Sequence, residues 1–228
     1  MVEFLHLKQY FSLEYTIFVF FGYPLSLLEF LGTTSGLVCV YLASRNHILT
    51  WPIGIFNSIC FFFLFFQIQL YSDMLLQIYF FGSSIYGWII WRKRTGQFTK
   101  IVSLGRNKNL FVIFLLIVGT FGLGFFTKHL PIWFPSLFAK PPDYLYWDAF
   151  TTVTSIVANL LLAQRKLESW FLWVLVDIVC IVLYYLKDIP FVTVEYVVFL
   201  LIAFYGSLHW YKEYQVNQKT FNTKAQSK

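Results

Sequence analysis

The sequence predicts an all-α integral membrane protein with seven transmembrane helices in a 3+1+3 arrangement, built from two parallel three-helix repeats. Three observations predict it. Apolar residues make up 58% of the 228 residues and charged residues only 12%, about half the soluble norm of roughly 25%. The apolar residues gather into runs of membrane-crossing length whose ends carry the lysines and arginines. The chain also matches itself when slid by 119 residues.

Residues 1–20 place Glu3, Lys8 and Glu14 among Phe, Leu and Tyr, the pattern of an amphipathic helix lying at the membrane interface. Seven runs follow, at about 24–43, 51–69, 74–91, 110–127, 145–163, 170–186 and 191–210. Each is close to the ~20 residues that a helix needs to span, and a helix satisfies its own backbone in lipid. Residues 92–109, with Arg92, Lys93, Arg94, Lys100, Arg106 and Lys108, read as a long polar linker. After Trp210 the chain turns polar, and a frayed tail is expected there. The resulting division is an N-terminal segment at 1–23, a first repeat at 24–91 and a second repeat at 145–212. Residues 92–144 hold the basic linker, a connector helix and an external loop, and 213–228 form the tail.

The basic residues also set orientation. With the 92–109 linker in the cytoplasm, Arg45, Arg165, Lys166 and the basic tail fall on the same side, against Lys128, Lys140 and Lys187 outside. The positive-inside rule then gives an external N-terminus and a cytoplasmic C-terminus. A net charge of +6 would suit nucleic acid as a partner, but basic residues placed at the ends of apolar runs are explained by the lipid bilayer. Cys39, Cys60 and Cys180 lie inside apolar runs and the four histidines are scattered, so neither metal-ligand spacing nor a cofactor motif is present in the sequence. A homo-oligomer in the bilayer is one of the assemblies open to such a chain.

In the 119-residue register Glu29 meets Asp148, Trp51 meets Trp170, Tyr86-Gly87 meets Tyr205-Gly206, and Trp91 meets Trp210. Three helices match three helices with the fourth between them, and an even displacement preserves direction across the membrane. The repeats are therefore expected to be parallel, a transporter design with the site between them. Shared residues read as scaffold: the Tyr-Gly pairs as helix packing, Trp91 and Trp210 as interfacial anchors. An asymmetric ligand needs groups that differ, and there Gly54 meets Trp173 and Ser58 meets Asp177.

The stretch WFLWVLVDIVCIVLYYL at 170–186 carries a carboxylate, Asp177, near its middle. Trp170, Trp173, Asp177 and Tyr184 fall on one helical face. A carboxylate at that depth costs about 2.5 kcal/mol or more facing lipid, so it must face protein or a water-filled cavity. With Trp51, Asn57, Gln77 and Asn159, these residues offer amides, one carboxylate and aromatic faces. Such a set suits a flat ring with polar substituents and hydroxyls, including a cationic one. The plainer roles are helix-to-helix bonding for Asn57 and Gln77, and anchoring for Trp170 and Trp51. Glu29, Asp148 and Glu195 lie nearer the external end, where they would line an entrance.

At WPIGIFN (51–57), YGWIIW (86–91), WDAFTTVTSIVANLL (147–161), ESWFLWVLVD (168–177) and YGSLHW (205–210) the chain resembles the PnuC transporters of nicotinamide riboside, bacterial vitamin carriers. The resemblance covers about 24–212. It implies a 3+1+3 fold that carries nicotinamide riboside across the inner membrane by facilitated diffusion, with a cytoplasmic kinase trapping the product by phosphorylation. It also implies that Trp173 and Trp170 contact or flank the pyridinium, that Asn57 and Gln77 bind its carboxamide, and that Asp177 and Asn159 hold ribose hydroxyls. Related carriers for riboflavin or thiamine share the fold and are the alternative. An intramembrane hydrolase or lipid-modifying transferase would need a nucleophile with its base, paired aspartates or histidine-rich metal spacing, and the sequence shows none of these. A seven-helix receptor does not account for the repeat, and no pair of broken helices points to sodium coupling.

Overall fold

The structure, a computed structural model, describes residues 16–20, 23–67, 71–93, 100–135, 144–187 and 190–226. The chain divides into two compact units, Met1–Gln97 and Phe98–Lys228. Among the described residues, seven helices are long and apolar enough to cross a membrane.

The first unit opens on a short antiparallel hairpin, β1 (Thr16–Phe20) and β2 (Tyr23–Ser26), with Phe20 opposite Tyr23 and Val19 opposite Pro24. Residues 16–20, expected as the end of an amphipathic helix over 1–20, are thus strand, and residues 1–15 lie outside the described residues. Thr-Ile-Phe-Val-Phe is a β-branched and aromatic run that suits a strand, and Pro24 lacks the amide a helix would need there. Helix α1 (Leu27–Ser44) therefore starts three residues later than expected, at a capping box. The Ser26 hydroxyl accepts from the Glu29 amide at 3.2 Å, and the Glu29 carboxylate accepts from the Ser26 amide at 2.8 Å, satisfying the first turn reciprocally. Helix α2 (Thr50–Gln67) packs against both α1 and α3 (Tyr71–Lys93). Small residues set the approach: a side chain at Gly54 would meet the Ser84 hydroxyl at 3.0 Å and the Cys39 thiol at 3.3 Å.

Among the described residues, the second unit holds four helices: α4 (Arg106–Trp133), α5 (Leu145–Ala163), α6 (Glu168–Leu186) and α7 (Pro190–Gln226). Helix α5 packs on α4 and α6, and α6 packs on α7. Two differences from the sequence reading stand out. Helix α7 continues to Gln226 rather than fraying beyond Trp210, because residues 211–226 contain no Gly or Pro and include three Lys and three Gln. The end of the polar linker is also folded. Val102 pairs with the α5–α6 turn, donating to the Arg165 carbonyl and accepting from the Leu167 amide, each at 3.1 Å. Ile101 is buried, and the Glu168 carboxylate accepts from the Ser103 hydroxyl and from the Leu104 amide.

The 119-residue repeat is present in the backbone of each unit. The α1–α2 and α5–α6 turns each carry a residue in the left-handed region, Asn46 at φ 55° and Arg165 at φ 54°. Asn46 N–H donates to Ala43 and His47 N–H to Leu42; Arg165 N–H donates to Leu162 and Lys166 N–H to Leu161, all at 2.9 Å. Both are Schellman closures. Asn tolerates that conformation and Arg does not readily, so the second turn keeps the geometry despite its residue.

Candidate functional site

The helix-end tryptophans come first, because they separate scaffold from site. In the first unit the buried Trp51 ring packs edge-on to Trp91, centroids 5.2 Å apart and planes at 87°. It lies so close over Gly87 that an added Cβ would sit 2.5 Å from its ring atoms. The second unit repeats this: Trp170 packs edge-on to Trp210 at 5.7 Å and 75°, and a Cβ at Gly206 would meet its ring at 2.8 Å. Trp91 and Trp210 are 0% exposed, which corrects their reading as interfacial anchors, since a belt residue must reach the headgroups. Trp51 and Trp170 spend their faces on the same packing. Their indole N–H groups are buried without an acceptor among the described residues.

Two of the predicted amides have different surroundings. Asn57, on α2, donates to the Gly32 carbonyl at 2.7 Å and to the Ser35 hydroxyl at 3.3 Å, a polar brace between α1 and α2. Gln77, on α3, is buried and makes no hydrogen bond among the described residues. It lines, with Ser58, Ile59, Phe62 and Phe81, a groove of about 240 Å³ between α2 and α3. Ser58 back-bonds its own helix at the Gly54 carbonyl, 2.8 Å away.

In the second unit, α6 presents Trp170, Trp173, Asp177 and Tyr184 along one face, as the spacing requires. Asp177 is 4% exposed, and among the described residues no hydrogen-bond donor and no cation reaches its carboxylate. One turn further, Cys180 is buried on the same helix. Trp173 is half-buried, and no described ring or donor pairs with its indole, unlike the four packed tryptophans. Asn159 is buried on α5. Tyr184 is stacked on Tyr196, centroids 5.3 Å apart and planes at 13°.

The sequence reading placed Glu29 and Asp148 together as acids of an entrance. Glu29 is committed to the capping box, whereas Asp148 pairs with Lys187 at 2.8 Å. Tyr196 and Lys187 were not singled out as candidates. Chain topology carried a signal for the latter: α5 and α6 are joined by a four-residue turn, so residues at similar distances from that turn face each other.

Buried carboxylates in lipid are costly unless a partner offsets them. An unpartnered Asp177 beside an unpaired indole can accept hydroxyls or oppose a cation while an aromatic face covers a flat ring. Comparison with known proteins places the chain among transporters. The family described as "Nicotinamide mononucleotide transporter" matches residues 26–212. The chain is 34% identical over 210 residues to the nicotinamide riboside transporter PnuC of Escherichia coli (strain K12), covering 83% of this chain and 87% of that protein. It is 26% identical over 200 residues to the riboflavin/roseoflavin transporter RibM of Streptomyces davaonensis, covering 85% of this chain and 89% of the relative. Among solved structures it resembles the crystal structure of the vitamin B3 transporter PnuC, with a TM-score of 0.64, 24% identity and 82% of each chain covered. That last likeness is one of fold.

Proposed function

The chain belongs to the nicotinamide mononucleotide transporter family, and from that premise we propose that it takes up nicotinamide riboside across the bacterial inner membrane by facilitated diffusion. Like its relatives it is a transporter, not an enzyme. A cytoplasmic kinase phosphorylates the product and so holds it in the cell. The N-terminus lies outside and the C-terminus in the cytoplasm, following the lysines and arginines.

The observation that carries this reading is Asp177, buried at 4% exposure with no donor or cation from the described residues. A ligand with hydroxyls and a positive ring offsets the cost of that carboxylate, and the closed ribose–pyridinium skeleton has both. Asp177 and Asn159 take the ribose hydroxyls, and Trp173 covers the pyridinium through its face. Trp170 contributes at most its buried N–H. In the first unit the same criterion, a buried polar group without a protein partner, picks Gln77 over the bracing Asn57.

The riboside is favoured over its mononucleotide by charge. Helices α1, α2, α5 and α6 contain no lysine or arginine, and Arg92 and Lys93 lie in the last turn of α3. A phosphate would lose its hydration at mid-membrane with no cation to replace it. Riboflavin or thiamine is the second reading, favoured by the riboflavin-transporting relative.

Purified protein in liposomes tests the proposal. Labelled nicotinamide riboside should equilibrate from either side, ignore imposed proton and sodium gradients, and accumulate only when a kinase and ATP are enclosed. Accumulation driven by an ion gradient alone would contradict facilitated diffusion, and preferential uptake of riboflavin or thiamine would replace the substrate.

A further inference from the structure

At the end of the second unit where α5 begins and α6 ends, an ammonium is held by groups that would equally hold a flat organic cation. Lys187 Nζ lies 2.8 Å from Asp148 Oδ1, 5.8 Å from the Tyr144 ring centroid and 5.6 Å from the Tyr184 ring centroid. Those distances are within the ~6 Å range of cation–π attraction. Tyr184 is fixed by its parallel stack on Tyr196. Lys187 and Asp148 are only partly covered, with 27% and 32% of their side chains exposed, so the pair can exchange with a ligand.

Three features set this cluster apart from an ordinary helix-end ion pair. First, it breaks the repeat: in the 119-residue register Lys187, Tyr184 and Tyr144 meet Ile68, Phe65 and Leu25, whereas the turns and tryptophan pairs are kept. The matching acid, Glu29, is turned into its own capping box instead. Second, two aromatic faces and one carboxylate converge on a single cation, the arrangement that recognises cationic rings. Third, Tyr184 lies on the stripe that leads along α6 to Asp177. Lys187 follows Asp177 by ten residues, roughly 15 Å of helix at about 1.5 Å per residue.

We propose that Tyr144, Asp148 and Tyr184 form a binding subsite for a flat organic cation, and that Lys187 fills it in the ligand-free protein as a tethered competitor. The inference rests on the reading of the substrate as a pyridinium ribonucleoside. A pyridinium arriving at this end must displace the ammonium, which then swings toward water on its flexible stem. The lysine thus weakens capture of the cation and speeds its release. It has no such effect on an uncharged molecule of the same size, because the rings and Asp148 attract that molecule far less.

Equilibrium binding to the purified full chain tests this with two probes, nicotinamide riboside and its uncharged reduced dihydro form. Lys187→Met should tighten binding of the cation by roughly fivefold, the size expected for removing one partly exposed pair, and change the reduced form less than about twofold. Lys187→Arg keeps the charge and should behave as wild type. Adding Asp148→Asn to Lys187→Met should abolish the gain. Lys187→Gln is measured alongside, with melting curves, so that a folding defect in one variant does not decide the result. Unchanged or weaker cation binding in both Lys187→Met and Lys187→Gln, or an equal shift for both probes, overturns the subsite. Wild-type protein that binds neither probe overturns the substrate reading itself.

Discussion

Alanine at Gly87 should destabilise the protein, and the amount can be worked from the Trp51 ring above it. A Cβ at Gly87 would sit 2.5 Å from Cη2 and Cζ3 of Trp51, where carbon atoms prefer about 3.5–4.0 Å. The overlap is thus on the order of 1 Å, against a rigid indole that is itself buried between helices and edge-on to Trp91. Forcing an extra methyl into such a contact costs about 1–3 kcal/mol. Gly→Ala in a helix returns about 0.8–1 kcal/mol. The net loss is therefore up to about 2 kcal/mol, or as much as roughly 8 °C in Tm for a chain of this size. Gly206→Ala should lose less, since its Cβ would be 2.8 Å from Trp170. Gly82 is the control, because no atom lies within 4 Å of its added Cβ. Melting curves in detergent should rank Gly82→Ala at or above wild type, then Gly206→Ala, then Gly87→Ala. A Gly87→Ala protein that melts with or above Gly82→Ala would refute the packing argument.

The other predictions follow the same division between scaffold and site. Trp210→Ala, which empties a fully buried position, should lower stability by about 3–5 kcal/mol and show up as lost yield or Tm; Trp173→Ala should leave melting nearly intact and weaken substrate binding by about 1–3 kcal/mol, as for a lost stacking partner. Asn57→Ala should lower Tm through the lost bond to Gly32, on the order of 0.6 kcal/mol for a polar contact between membrane helices, with little change in affinity by titration. Calorimetry with riboside and mononucleotide should show the riboside binding more tightly.

Much of the architecture was legible because lipid imposes it. Charges at the ends of apolar runs fixed the seven spans, and the 119-residue register picked out Gly87 and Gly206, whose closeness to Trp51 and Trp170 explains why each must be glycine. The hairpin was harder to see, since Thr16–Phe20 suits a strand and an interfacial helix alike by hydrophobicity; the Ser26–Glu29 box was the available sign of where α1 starts. Trp91 and Trp210 misled because a helix-end tryptophan can anchor in headgroups or tuck beneath a neighbour, and only packing decides between them. Within the candidate site, the burial of Asp177 was readable from the cost of its charge. The role of Asn57 was not, because an amide can bond the next helix or a ligand with the same atoms. Lys187 and Asp148 are separated by 39 residues, and their pairing depends on the tight α5–α6 turn bringing the far ends of two helices together.

The most direct test of the central claim is titration of purified wild type and Asp177→Asn with nicotinamide riboside. Asparagine keeps the size and removes the charge, so the folded protein should melt as wild type or slightly above it, the buried charge being gone. Loss of a charge-assisted contact in a buried site is worth about 1.5–3 kcal/mol, so affinity should fall by at least tenfold. Equal affinity in the two proteins would mean that Asp177 does not meet the substrate and would contradict the account.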